Sequence, residues 1–443
     1  MKRIFVLWFA LIFLPLFTLR LFQDEMLYIN LSKLAFSLTF RPRSSLVFLL
    51  TSPLAVVSNV HARVFLLRLS TSLATLLDVL LIYKIAEKLF GKREAFLSSI
   101  LFLFAFTVLR YGARYTLEPW GTLFMLLAVY WLEDKPLLSS IFAGLAFWAR
   151  ESWLVVWPFY LYYARITKRR EFLKIFVVSL VVVTLNFLFM YLVSIGYGGF
   201  EKTTVITYPS RTIMSFSSLI PLLIRDWIEF IVAYPLITIG FLYALKEKSS
   251  LKVVSIGALF TLNGIIGFII NGPFERYAFG SLAFASIFAG RGLVLLYEKF
   301  KVGFSLEKVL AIFLIAKFVV FNIAVIEFSD IGAEGIQDYG YWYDAEVFKI
   351  LSEHANPQEF LAGTPHPLLL GFRNYCWPDR NISKAISWDP DWLITFKAWV
   401  TINNTKDLEV WYVGPYVVIH AKRKGAIKEN VHLGNLEFWK LRK

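Results

Sequence analysis

Residues 152–195 read SWLVVWPFYLYYA, then RITKRREFLK, then IFVVSLVVVTLNFLFMYLVSI. Two apolar stretches flank a decapeptide that carries Arg165, Lys168, Arg169, Arg170 and Lys174. A helix that crosses a bilayer needs roughly 17–25 mostly apolar residues, and the loops left in the cytoplasm are rich in Lys and Arg. The segment therefore reads as two membrane helices joined by a cytoplasmic loop. Outward from it, the same pattern repeats at 4–20, 64–83, 95–110, 119–133, 137–149, 152–164, 174–195, 217–244, 253–270, 277–297 and 308–327. The expected fold is mainly α: a polytopic membrane helical bundle of about eleven transmembrane helices.

An odd number of spans puts the termini on opposite sides. With the N-terminus in the cytoplasm, the inner connections hold Lys84, Lys88, Lys92 and Arg93, then Lys135, then the run at 165–174. Further inner connections hold Lys246, Lys248 and Lys252, then Lys299, Lys301 and Lys308. Beyond the long first loop, the outer connections are poorer: Arg110 and Arg114, Arg150, Lys202 and Arg211, and Arg276. This is the positive-inside bias, and the opposite orientation would put the run at 165–174 outside. The first apolar run follows Met1-Lys2-Arg3 and is followed by no small-residue cleavage site, so it reads as a retained helix rather than a signal peptide.

Composition agrees with a membrane protein. Of 443 residues, 58% are hydrophobic and 18% aromatic. The formal net charge is +14, which in a soluble protein would suggest nucleic acid. Here the basic residues sit mostly in short connections, where topology and anionic membrane lipids account for them, and no nucleic-acid partner is expected. The single Cys376 and five histidines without ligand spacing give no basis for a cysteine or histidine metal centre.

Two domains are expected. Residues 1–327 form the transmembrane catalytic domain, with a long outer loop at 20–63. That loop holds an amphipathic stretch (Met26 to Phe40) and a second apolar run (Leu46 to Val57), both read as interfacial helices. From 328 to 443 polar and turn residues appear, and a small C-terminal α/β extracytoplasmic domain is expected, with strands at Glu359–Gly363, Leu408–Val413 and Tyr416–His420 and a helix at Tyr343–His354.

Under this topology the unusual charges gather at the outer face. Asp24-Glu25 follows the first helix outward. Arg110, Arg114 and Glu118 occupy the next outer turn, Arg150-Glu151 a tight hairpin, and Glu275-Arg276-Tyr277 the last outer turn. Ionisable groups near membrane depth are costly and mark function by default. A carboxylate can orient or deprotonate an acceptor hydroxyl, and arginines hold a phosphate leaving group in a planar fork. A reaction between a membrane-bound phosphate ester and a hydroxyl needs both. Each charge also has a plainer reading: a solvated loop start for Asp24-Glu25, interface snorkelling for Arg110 and Arg114, and self-paired turns for Arg150-Glu151 and Glu275-Arg276.

The segment Phe22-Gln23-Asp24-Glu25-Met26-Leu27-Tyr28 resembles the first-loop motif of the GT-C glycosyltransferases. Gly144-Leu145-Ala146-Phe147-Trp148-Ala149-Arg150-Glu151 resembles the Gly-Leu-Ala-x-x-x-Lys-Glu hairpin of their protein O-mannosyltransferase and lipid A aminoarabinose transferase branch, with Arg for the usual Lys. Arg276-Tyr277 resembles their late Arg-Tyr motif, and Glu118 stands where an Asp is frequent. The resemblance covers about residues 1–330 in order and helix spacing. It implies a sugar donor linked to polyprenyl or dolichyl phosphate and a protein, lipid or glycan acceptor. It implies Asp24 as acid–base or acceptor-orienting residue, with Glu25 and Glu118 beside it in the catalytic set. Arg110, Arg114, Arg150 and Arg276 are then the donor-phosphate ligands, and Tyr28, Glu151, Glu275 and Tyr277 line the cavity. No metal or other cofactor is expected, although oligosaccharyltransferases of the wider class need a divalent ion. The cell membrane, or the endoplasmic reticulum membrane in a eukaryote, is the implied location. The competing function is a transporter or flippase of a lipid-linked or polar substrate, against which stand the absence of an internal repeat and the placing of charge at the outer ends of the helices.

Overall fold

The computed structural model describes residues 2–21, 23–35, 45–195, 230–231, 234–265, 278–300, 305–306, 308, 310–316, 340–364, 366–372, 375–376 and 382–433. Its contacts divide the chain into two units. The first comprises Met1–Leu14, Leu31–Val56 and Leu66–Phe318. The second comprises Pro15–Asn30, Val57–Phe65 and Val319–Lys443.

The helices run in chain order as α1 (Lys2–Trp8), α2 (Gln23–Lys33), α3 (Ser45–Ala55), α4 (Val60–Phe90), α5 (Lys92–Leu103), α6 (Phe106–Tyr111), α7 (Glu118–Trp131), α8 (Pro136–Ala149), α9 (Trp157–Thr167), α10 (Phe172–Ile195), α11 (Pro235–Ala244), α12 (Lys252–Ala258) and α13 (Ala278–Phe300). Among the described residues, Val60–Phe90, Phe172–Phe189 and Ala278–Phe300 are long and apolar enough to cross a membrane. Shorter apolar helices lie at Leu46–Ala55, Pro136–Ala149, Pro235–Ala244 and Lys252–Leu262. The part of the expected span 217–244 before residue 230, and most of 308–327, lie outside the described residues.

The expected spans 4–20 and 95–110 are not continuous α-helices. After α1 the chain passes through a π-helical turn at Phe9–Phe13 and a 3₁₀ turn at Leu14–Phe17. Pro15 has no N–H and its ring crowds the carbonyl four residues back, so the regular ladder gives way there. The span expected at 95–110 breaks at Phe104 and Ala105, the latter extended at φ −68° and ψ 131°. The break frees the chain to turn, and α6 and the loop after it follow from that turn.

Packing in the first unit separates an inner helix from an outer one. Every residue of α13 from Ala278 to Gly290 is buried. By contrast α10 presents Leu173 (70% exposed), Val181 (51%) and Leu188 (48%) outward, an apolar surface that suits lipid and not water. Small residues let α13 meet its neighbours at backbone distance. A side chain on Gly240 of α11 would lie 2.5 Å from the Ala289 carbonyl oxygen, and one on Gly292 would strike the Gly240 backbone. Such close approach is how membrane helices associate when burial of apolar surface from water is not the driving force. Toward one end, Arg291 of α13 reaches Glu94 of α5 at 3.0 Å and Glu247, just past α11, at 3.2 Å.

The second unit contains a five-stranded mixed sheet. Its strands in chain order are β1 (Leu361–Gly363), β2 (Tyr375–Cys376) and β3 (Trp392–Phe396), then, after the separate β4 (Val400–Ile402), β5 (Leu408–Val413) and β6 (Tyr416–Ala421). The spatial order is β2-β1-β3-β6-β5, parallel on the β1 side and antiparallel from β3 onward. All five residues of the central β3, Trp-Leu-Ile-Thr-Phe, are buried, as a strand covered on both faces requires. The β5–β6 hairpin turns at Gly414-Pro415, with Gly414 at a φ of +53° that glycine adopts without strain. Helix α14 (Tyr341–His354) contributes Val347, Ile350 and Leu351 to the core with Leu361, Trp392 and Val418. Strand β4 pairs separately with β7 (Val431–Leu433).

Candidate functional site

In the first unit the candidate charges lie on two connections. The first runs from the end of α6 to the start of α7. Gly112 closes α6, and its carbonyl accepts a hydrogen bond from the Thr75 hydroxyl of α4 at 3.0 Å. Three residues on, the Tyr115 hydroxyl sits 2.6 Å from both Ser32 and Thr51. The Thr51 hydroxyl donates to the Val47 carbonyl at 2.7 Å, so the relay runs from Ser32 to Tyr115 to Thr51 to the backbone. Burial pushes the Tyr115 hydroxyl up to about 12, against the lowering effect of its two hydroxyl partners. The loop is thus pinned at both ends. Arg114 between them is buried and donates to the Arg110 carbonyl at 3.2 Å. Arg110 is partly buried, its guanidinium 5.7 Å from the Phe106 ring and 5.6 Å from the Tyr111 ring.

Glu118 opens α7, with Pro119 fitting the first turn because its missing N–H would be unused there. A carboxylate at a helix start is favoured by the backbone dipole. The second connection begins where α8 ends. Arg150 is extended (φ −151°, ψ 113°), and a 3₁₀ turn follows at Glu151–Val155. Residues 137–164 therefore run through α8, this turn and α9, as the separate spans 137–149 and 152–164 lead one to expect.

Trp153 holds this hairpin in place. Added Cβ atoms would fall 2.5 Å from its Nε1 at Gly121 of α7 and 2.6 Å from its Cζ2 at Gly280 of α13. The same Cβ at Gly121 would lie 2.7 Å from the Cβ of Arg150. The indole is wedged between two glycines, and that contact brings Arg150 against the start of α7. There Arg150 Nη2 meets Glu118 Oε1 at 3.1 Å, both side chains 4% exposed. Its Nη1 meets Glu151 Oε1 at 3.2 Å, and Glu151 is 47% exposed. One guanidinium thus binds a buried and a half-exposed carboxylate. In low dielectric such a pair persists only with favourable geometry and further polar partners.

In the second unit, Asp24 and Glu25 lie in the first turn of α2, with Tyr28 one turn further on. Glu25 and Tyr28 are buried. Glu275, Arg276 and Tyr277 lie outside the described residues. Among the described residues no three His, Cys, Asp or Glu side chains gather into a metal-binding group. The sequence pattern marked the charged residues of the first unit but not what holds them. The hydroxyl relay of Ser32, Tyr115 and Thr51 and the glycines around Trp153 carry no charge, and the only trace they leave in the sequence is small residues among large ones.

Residues 47–195, which include Arg110, Arg114, Glu118, Arg150 and Glu151, match the family model of dolichyl-phosphate-mannose-protein mannosyltransferases. No curated protein matches the chain significantly. Among solved structures, ArnT from Cupriavidus metallidurans bound to undecaprenyl phosphate aligns with a TM-score of 0.56 at 14% identity, covering 94% of this chain and 96% of that one. The oligosaccharyltransferase of Archaeoglobus fulgidus tethered to an acceptor peptide aligns with a TM-score of 0.55 at 11% identity, covering 98% and 74%. The oligosaccharyltransferase AglB from the same archaeon, in complex with an inhibitory peptide and a dolichol-phosphate, aligns with a TM-score of 0.51 at 13% identity, covering 88% and 68%. The resemblance carried by the sequence motifs is therefore matched independently: the chain has the fold of the GT-C membrane glycosyltransferases, and its residues 47–195 match the protein-mannosyltransferase family among them.

Proposed function

We propose that this chain is a membrane glycosyltransferase that moves a sugar from a polyprenyl- or dolichyl-phosphate carrier to a hydroxyl of a protein, lipid or glycan at the outer face of the membrane. The observation that supports it most is the buried Glu118–Arg150 pair, set beside the Arg114 loop in a fold shared with proteins solved with undecaprenyl phosphate and dolichol-phosphate. In the proposed step the acceptor attacks the anomeric carbon, the bond from that carbon to the phosphate oxygen breaks, and the lipid phosphate leaves. Asp24 takes the acceptor proton, with Glu25 next to it. Arg110, Arg114 and Arg276 bear the charge that collects on the phosphate. Arg150, engaged by two carboxylates, orients Glu118 and Glu151 as well as adding positive charge.

Transfer of radiolabelled sugar from a polyprenyl-phosphate donor in purified membranes tests the reading. Asp24→Asn keeps the size of the side chain and removes the base, so transfer should fall by about 100-fold or more. Arg276→Ala should raise donor KM and lower kcat while leaving acceptor KM nearly unchanged. A wild-type chain that moves the lipid-linked substrate between leaflets and leaves the sugar on its carrier would favour a flippase instead. The step uses no metal ion, so EDTA should leave transfer intact. A loss on chelation that a divalent ion restores would overturn that part.

A further inference from the structure

The second unit carries a polar network that the proposed chemistry does not use. Asp344, in the first turn of α14, has no exposed surface. Its Oδ1 accepts from the Tyr416 hydroxyl of β6 at 2.9 Å and lies 2.9 Å from His366 Nε2. Its Oδ2 accepts from the backbone N–H of Leu21 at 2.8 Å. A carboxylate only accepts, so His366 donates through Nε2, and its Nδ1 is left to take the Thr364 hydroxyl at 2.9 Å. A Thr-His-Asp row suggests a nucleophilic triad, but Thr364 is 3% exposed and His366 is fully buried, so no substrate reaches them.

Leu21 is what gives the network a purpose. It lies two residues before α2, whose first turn carries Asp24 and Glu25. Other bonds hold the same stretch. The Thr18 carbonyl accepts from the N–H groups of Gly340 and Tyr341 at 2.7 and 3.1 Å. The Arg20 guanidinium lies 5.4 Å from the Phe396 ring and 5.5 Å from that of Tyr416. The far end of the outer loop is held too. Arg63 donates to the carbonyls of Leu369 at 2.8 Å and Val57 at 2.8 Å, and His61 Nδ1 lies 3.0 Å from the Tyr341 hydroxyl. The residues from 340 onward thus grip both feet of the loop that bears the acidic pair.

We propose that Asp344 is a positioning residue for the reaction: by fixing the backbone at Leu21 it sets where Asp24 and Glu25 stand. This rests on the reading of Asp24 as the acid–base group. A buried charge-assisted hydrogen bond to a backbone N–H is short and directional. Displacing a reacting group by about 1 Å can cost on the order of 100-fold in rate.

The test uses the full chain in detergent micelles or membranes. Asp344→Asn keeps the shape and puts an amide N–H₂ among three donors; Tyr416→Phe removes one donor only and serves if the first variant does not fold. Hydrogen exchange is read over residues 18–28 and over β3 and β6, and transfer is measured per folded molecule. The expected result is exchange at 18–28 faster by about 10-fold or more, unchanged protection of β3 and β6, and kcat down about 10-fold or more with donor KM within about threefold. Loss of protection in the loop and the sheet together would reduce Asp344 to a core residue and overturn the proposal. So would faster loop exchange with unchanged turnover, or no change in exchange at all. Exchange is read without substrate, so a wild-type chain that shows no transfer refutes the functional reading alone, while the loop exchange still decides whether Asp344 fixes that segment.

Discussion

Arg150 shows how far the charges were legible residue by residue. Its adjacency to Glu151 suggests a turn that neutralises itself, yet the stronger burial is on its other contact, Glu118, which lies on the next connection in space. Sequence order shows that both connections are charged, but only the fold decides which carboxylate faces which guanidinium. The two contacts should differ in energy. Arg150→Ala removes a guanidinium from a pair whose side chains are both 4% exposed, and breaking a buried pair in this way costs about 3–5 kcal/mol. Glu151→Gln removes a half-exposed carboxylate and should cost no more than about 1 kcal/mol. Thermal unfolding of the two variants in one detergent checks the contrast; equal losses would mean that the Glu118 contact is not the one that matters.

Element by element, the sequence located helices better than it located their breaks. Apolar length marks α4, α10 and α13 because each run is long and only sparsely interrupted by charge. The break at Phe104-Ala105 carries no Pro, Gly or charge, so hydropathy has nothing to detect there. Nor does hydropathy see the contact of Trp153 with Gly121 and Gly280, on which the Arg150 hairpin depends. Gly121→Ala should push the indole and the Arg150 stem away, and overpacking of this kind costs about 1–3 kcal/mol. Because the displaced group is the partner of Glu118, transfer should fall further than stability predicts. A second variant probes the neighbouring loop: Tyr115→Phe removes the middle of the Ser32–Tyr115–Thr51 relay, and disturbing a buried hydroxyl of this kind costs about 1–3 kcal/mol. An unfolding midpoint for Tyr115→Phe within error of the wild type would show that the relay does not hold the loop.

At the scale of the whole molecule the decisive quantity is the distribution of positive charge rather than its sum. A net charge of +14 describes many kinds of protein, but Lys and Arg collected into alternate connections describe one that crosses a membrane repeatedly. The exposed apolar face of α10 is the structural counterpart: Leu173, Val181 and Leu188 would be unfavourable in water and are ordinary in lipid. The positive-inside bias sets the expectation to be tested: the N-terminus and the run at 165–174 in the cytoplasm, and the residues from 340 onward outside. Cys376 is the sole cysteine, so a Cys376→Ser background is free of thiols. In that background Thr405→Cys and Lys168→Cys each report one side; Thr405 is exposed on a turn after β4, and Lys168 sits in the α9–α10 connection. A membrane-impermeant thiol reagent on intact cells should label the first and spare the second, and permeabilisation should make both reactive. Labelling of position 168 with protection of 405 would invert the topology and place the acidic pair of α2 and the arginine connections on the cytoplasmic side. The sugar donor and acceptor would then have to meet there.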